Sequence, residues 1–217
     1  MKKLLTLCLI FCCTAAMAQL QFKSGKDGFS NFIKSNTIYP RFSKYNCIQG
    51  TVKVSFKLDQ DGNVREAKVN SGIITELNDE ALRLIRLSSG KWKIPEDYNA
   101  AAVIIVPVNF KLSGYDCDRK STSEIQSAIM AYQTDERLTD VVTNFYKNLD
   151  KAKPGQETQI LAIKKQLGID DDYLDERIND GLKKIKQGDK AAACDDFLFI
   201  KNVGSDKADR YIAQYCK

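Results

Sequence analysis

The sequence contains no histidine. That absence removes the commonest general base, the commonest zinc ligand and every Ser-His or Cys-His nucleophile pair. Carboxylate or lysine chemistry stays open, yet there is no nucleotide-binding loop, and no base accompanies the serines and cysteines. No catalytic residue, cofactor or metal ligand is therefore expected, and the chain reads as a non-enzyme. No CxxC occurs, so neither a zinc knuckle nor a thioredoxin-type redox motif is supported. No apolar run reaches the roughly 20 residues needed to span a bilayer. The net charge of +5 is mild, and no basic stripe with interleaved aromatics is present, which argues against nucleic acid.

What is present is an ordinary globular composition, 43% hydrophobic and 28% charged over 217 residues, enough for one medium domain or two small ones. The first residues, MKKLLTLCLIFCCTAAMAQ, read as an export signal. Lys2 and Lys3 form the basic end, Leu4 to Cys13 a short apolar run, and Ala16-Met17-Ala18 a small-x-small cleavage site before Gln19. Lipidation of Cys12 or Cys13 is disfavoured, because Phe11 and Cys12 stand where a small residue normally precedes the modified cysteine. The expected mature chain is periplasmic, with no stable membrane insertion. It keeps four cysteines, Cys47, Cys117, Cys194 and Cys216. An even number in an oxidising compartment suggests two disulfides, with three possible connectivities.

From Thr51 onward, Val52, Val54, Phe56 and Leu58 alternate with polar residues, the period of a strand with one buried face. Asp59-Gln60-Asp61-Gly62-Asn63 supplies a turn; its glycine comes too early for a calcium-binding loop. The return strand, Val64 to Asn70, puts Ala67 and Val69 on one face. A helix follows, with Asn78 as expected N-cap, a Leu77–Leu82 staple, and Leu77, Ala81, Leu84 and Ile85 on its buried side. Beyond Trp92 and Pro95, Ala102, Ile104, Val106, Val108, Phe110 and Leu112 alternate through a third strand. The expected fold class is α+β: a three-stranded antiparallel sheet with a packed helix over residues 19–115, then an all-α region over 116–217.

Six stretches carry a family resemblance: Tyr39-Pro40, Ile48-Gln49-Gly50-Thr51-Val52, Asp59-x-Asp61-Gly62-x-Val64, Asn78-Asp79-Glu80-Ala81-Leu82, Trp92-x-x-Pro95 and Val108-x-Phe110-x-Leu112. Their order and spacing from about Phe32 to Leu112 resemble the TonB C-terminal domain family, the periplasmic end of energy transducers in Gram-negative envelopes. The resemblance implies an interaction domain that takes up an extended segment of an outer-membrane, TonB-dependent transporter. Full transducers of this kind have a membrane anchor and a long Pro-rich spacer. Here a cleavable signal stands at the start and only 4 prolines occur, so a binding fold is implied more securely than energy transduction. The alternative is an envelope scaffold, homodimeric or docked to a neighbour, that binds through its helical half.

In the second half, Ser121 and Glu124 form a capping box before Ile125, Ala128, Ile129 and Tyr132. Leu138, Val141, Val142, Phe145 and Leu149 make another apolar face, Pro154-Gly155 breaks the chain, and Ile160, Ile163 and Leu167 run to Gly168. Leu174, Ile178 and Ile185 lead to a Gly188-Asp189 turn, and Asp170-Asp171-Asp172 reads as a solvated helix start. Gly181, Ala193, Phe197 and Ile200 fall near the positions of a single TPR-like helix pair, which a generic helical hairpin explains equally well.

Two further expectations rest on topology. If the first hairpin strand lies in the middle of the sheet, its start meets the end of the last strand, and Cys47 pairs with Cys117. If 190–202 and 206–216 form antiparallel helices, Cys194 pairs with Cys216. Such loops imply roughly 3–4 kcal/mol per bridge. Pro107 lacks an N–H and belongs on a free edge or a bulge. Val103, Ile105, Pro107, Asn109 and Lys111 should then turn their backbone groups outward, forming a candidate peptide-binding edge. The missing donor serves equally well as protection against aggregation.

Overall fold

The computed structural model describes residues 20–216, so the expected signal and its cleavage site lie outside the described residues. The first half comprises β1 (Gln21–Phe22), α1 (Gly28–Asn36), α2 (Arg41–Tyr45), β2 (Gly50–Leu58), β3 (Val64–Ser71), α3 (Thr75–Leu87), β4 (Trp92–Lys93) and β5 (Ile104–Phe110). Helices α4 (Thr122–Lys147), α5 (Gln156–Gln166), α6 (Asp171–Lys186), α7 (Lys190–Asn202) and α8 (Asp209–Tyr215) form the second. The fold is α+β. No helix among the described residues is long and apolar enough to cross a membrane.

The three-stranded sheet has the order β3-β2-β5, antiparallel throughout, with β2 in the middle. Its inner face buries Val52, Val54, Phe56, Leu58 and Val108, each at most 1% exposed. Against them pack Leu77, Ala81, Leu84 and Ile85 of α3, all fully buried, as the helical spacing requires. The hairpin turn closes on Asp59, whose side chain accepts the backbone N–H groups of Asp61 and Asn63. Gly62 sits at φ +81°, and a Cβ there would meet the Trp92 carbonyl at 2.5 Å, so no larger residue fits. In β3 the register shifts opposite Phe56, where Glu66 takes φ +52°. This bulge lets both Val64 and Ala67 pack toward the core, three residues apart, where a regular strand would put them on opposite faces.

The start of α3 differs from expectation. Ile74, not Asn78, occupies the N-cap, and Asn78 lies inside the helix with its Oδ1 accepting the Ile73 N–H at 3.0 Å. The amide reaches back past the helix start, and Gly72 leaves room for it: a Cβ on Gly72 would lie 2.1 Å from the Asn78 Oδ1. With Leu77 inside the helix, the expected staple has no place. The elements β1, α1, α2 and β4 were not anticipated. Phe22 and Trp92, in the small β1–β4 pair, meet edge to face at 5.2 Å and close one end of the core.

The second half has its own core around Val142, Phe197, Ile200 and Val203. The Ser121–Glu124 capping box forms, but the helix it starts is one continuous α4. Ile125, Ile129 and Tyr132 of α4 pack on the first core, and Val142, Phe145 and Tyr146 belong to the second. Val141 and Leu149, expected on the buried face, are 47% and 56% exposed; Val142 and Phe145 take the contact instead. Asp170 caps α6 by accepting the Tyr173 N–H at 2.9 Å. Helices α6 and α7 form one antiparallel hairpin in which Gly181 lies against the Phe197 ring.

Candidate functional site

Two disulfides frame the molecule. Cys47–Cys117 joins the approach to β2 to the segment after β5, with Cα atoms 5.6 Å apart, and Cys194–Cys216 joins α7 to the end of α8 at 5.5 Å. Both are the pairs expected from topology, although α8 starts at Asp209 rather than Asp206.

Strand β5 lies at one side of the sheet, paired with β2 from Gly50↔Phe110 to Phe56↔Ile104. Pro107 stands opposite Lys53, Ile105 opposite Ser55, and Asn109 opposite Thr51, whose hydroxyl donates to the Asn109 side chain at 2.7 Å. Val103 and Lys111 flank the strand rather than belonging to it. All five lie exposed, with Val103 at 60% and Ile105 at 53%. Among the described residues no strand pairs with the far side of β5. The opposite edge, β3, is interrupted by its bulge and carries Arg65, Glu66 and Lys68, features that discourage pairing.

A groove of about 530 Å³ runs beside β5. One wall is Pro107, Asn109 and Lys111; the other is α1, through Phe29, Ser30, Ile33 and Lys34. Sequence reasoning missed this wall. Its signal was Phe29, Phe32 and Ile33, an i, i+3, i+4 stripe. Tyr39 anchors the wall's end by donating to the Ile48 carbonyl at 2.6 Å, and burial, reinforced by Glu76, pushes its hydroxyl up to about 12. The end of β5 is fixed where the Leu112 N–H donates to Gln49 Oε1 at 2.7 Å.

A second cavity, of about 1240 Å³, separates α3 from α4, α6 and α7. At one end of it sits a buried ion pair that the sequence pattern did not disclose. Glu80 accepts Arg83 Nε and Nη2 at 2.7 and 2.8 Å, and the Ile38 N–H at 2.8 Å. Burial pushes the Glu80 carboxyl up, opposed by the Arg83 guanidinium. Arg83 also donates to the Asn36 carbonyl, to Gln187 and to Asp189, so one guanidinium joins α1, α3 and the α6–α7 turn. Nearby, Arg41 bonds to Glu176 and lies over Tyr173, while Arg177 lies over Phe199 at 4.0 Å. The Arg83 and Arg41 contacts dock the helical half on the side of α3 that faces away from the sheet, and the Arg177–Phe199 contact joins α6 to α7 within that half. Among the described residues no group of three or more His, Cys, Asp or Glu side chains could hold a metal ion.

No match was found among curated proteins or among solved structures. Residues 35–112, which contain the three-stranded sheet, α2 and α3, are similar to the family of the Gram-negative bacterial TonB protein C-terminal.

Proposed function

We propose that the protein is a non-enzymatic interaction module of the periplasm that captures an extended protein segment by adding it as a fourth strand beside β5. The observation that carries this reading is the unpaired β5 edge with the α1 groove alongside it. An open edge offers backbone donors and acceptors, and pairing with a peptide satisfies them. The groove would receive the alternate side chains of the incoming strand, and Val103, Ile105, Pro107, Asn109 and Lys111 would form the edge itself. Pro107 removes one donor at the centre of that edge, which keeps the contact weak and reversible and limits self-pairing. The TonB-type domain supports the partner class: a segment of an outer-membrane transporter that faces the periplasm.

The test uses the full chain and synthetic peptides from such segments, with binding read by fluorescence anisotropy. Ile105→Pro and Asn109→Pro each take away a further edge donor and should abolish binding while the circular dichroism spectrum stays unchanged. Binding that survives both substitutions would move the site to the helical half and make the protein a scaffold.

A further inference from the structure

The outer face of the sheet is the side turned away from α3. Cross-strand partners share a face. Lys53 with Pro107 and Ser71, Ser55 with Ile105 and Lys68, and Lys57 with Arg65 therefore all lie on the side opposite the buried valines. Two of the cations there are neutralised locally, Lys57 by Glu66 at 2.6 Å and Arg65 by Asp59 at 2.9 Å. Lys53 and Lys68 are exposed and make no ion pair among the described residues. Beside them Ile105 and Pro107 are exposed apolar residues of β5, and exposed Val103 stands just before the strand. A solvated sheet face would carry polar residues at those positions. On this one Lys53, Lys68, Ile105 and Pro107 lie exposed, and only Ser55 between them is buried, at 2% exposed.

We infer that this face docks on an anionic lipid bilayer surface. Two observations select a bilayer over an acidic protein. The first is size. Three strands about 4.8 Å apart and about 24 Å long give a flat footprint of roughly 300 Å², small for the roughly 800 Å² of accessible surface per partner that a specific protein interface buries. A bilayer needs no matching shape: these apolar side chains enter the headgroup layer, and the flanking lysines extend beside them to reach the lipid phosphates. The second is charge placement. Residues 20–115 hold 14 Lys and Arg against 9 Asp and Glu, whereas residues 116–217 hold 17 against 19. Because the helical half docks on the far side of α3, the basic sheet face and the net-acidic half occupy opposite poles. An anionic surface orients such a molecule with its sheet inward.

The experiment is co-sedimentation of the full chain with phosphatidylcholine vesicles, with and without about one-third phosphatidylglycerol, at low and at high salt. The intact protein should sediment with the anionic vesicles at low salt and be released by high salt or by omission of phosphatidylglycerol. The double variant Lys53→Gln/Lys68→Gln should bind about thirtyfold more weakly, at roughly fivefold per lysine near such a surface. Neither residue is on β5, so transporter-peptide binding should be retained in the same variant. The control Lys186→Gln/Lys190→Gln, at exposed lysines of the acidic half, should bind vesicles like the parent. Absence of sedimentation, equal weakening by the control pair, or vesicle binding that ignores salt would each overturn the proposal. So would binding of the same face to an acidic protein without any binding to vesicles.

Discussion

The two halves of the molecule are held together by different kinds of information. In the sheet half the core is assembled across the ladders β3-β2-β5 and by α3, so residues distant in sequence meet by strand register. In the helical half, α6 packs along α7 and α7 along α8, so most contacts join neighbours in the chain. The family match, over residues 35–112, falls within the sheet half. Register fixes spacing tightly, because a slip of one residue turns every side chain to the wrong face. A helical hairpin tolerates many apolar residues of suitable size, and its sequence is correspondingly less distinctive.

The sharpest way to break this pairing of halves is Arg83→Ala. Glu80, 5% exposed, would be left buried without its cation, at a cost of about 3–5 kcal/mol. In urea unfolding, Trp92 fluorescence reports the sheet half and far-ultraviolet circular dichroism reports chiefly the helices. The two curves should coincide in the parent and separate in the variant. Coincident curves in both would show that the halves cooperate without this cluster.

Removing the disulfides compares the halves more gently. Their sequence separations are 70 and 22 residues. Replacing both cysteines by serine should cost about 4 kcal/mol for Cys47–Cys117 and about 3 kcal/mol for Cys194–Cys216 in the chain-entropy account. A larger loss from the shorter loop would mean that it braces the native helices rather than restricting the unfolded chain.

The smallest effect is confined to the hairpin. The Asn63 backbone N–H, ahead of the Asn63 side chain and the Arg65 guanidinium, holds the Asp59 carboxyl at about 2 against an ordinary 3.8. A depressed carboxyl contributes stability above its unfolded pKa and loses it as pH falls through the folded value. Acid titration of Trp92 fluorescence should therefore show a step between about pH 4 and pH 2. The step should be missing in Asp59→Asn.

The parts legible in the sequence were those with a short period. Alternation marked Val52 to Leu58 and Ile104 to Phe110, and helical spacing marked the buried side of α3. Strand order then fixed Cys47 beside Cys117. What stayed hidden depends on a third dimension. Glu80 and Arg83 look like an ordinary exposed i, i+3 pair until Gln187, 104 residues beyond Arg83, closes over them. The Glu66 bulge and the backward reach of Asn78 are local choices that residue type leaves open. At the candidate edge, the strand residues could be named from Pro107 alone, whereas the α1 wall needed the packing of Phe29 and Ile33.

Helix α4 imposes a phase on the whole molecule. Its 26 residues span about 39 Å, with Ile125, Ile129 and Tyr132 seated in one core and Val142 in the other. Inserting a single residue between Tyr132 and Val142 would turn one seat by about 100° relative to the other. Gln187 and Asp189 would then swing away from Arg83. Seven added residues would nearly restore the angle, but with the cores about 10 Å further apart. The shaft therefore permits neither a slip nor a stretch, and the length of α4 sets both the bearing and the separation of the two halves.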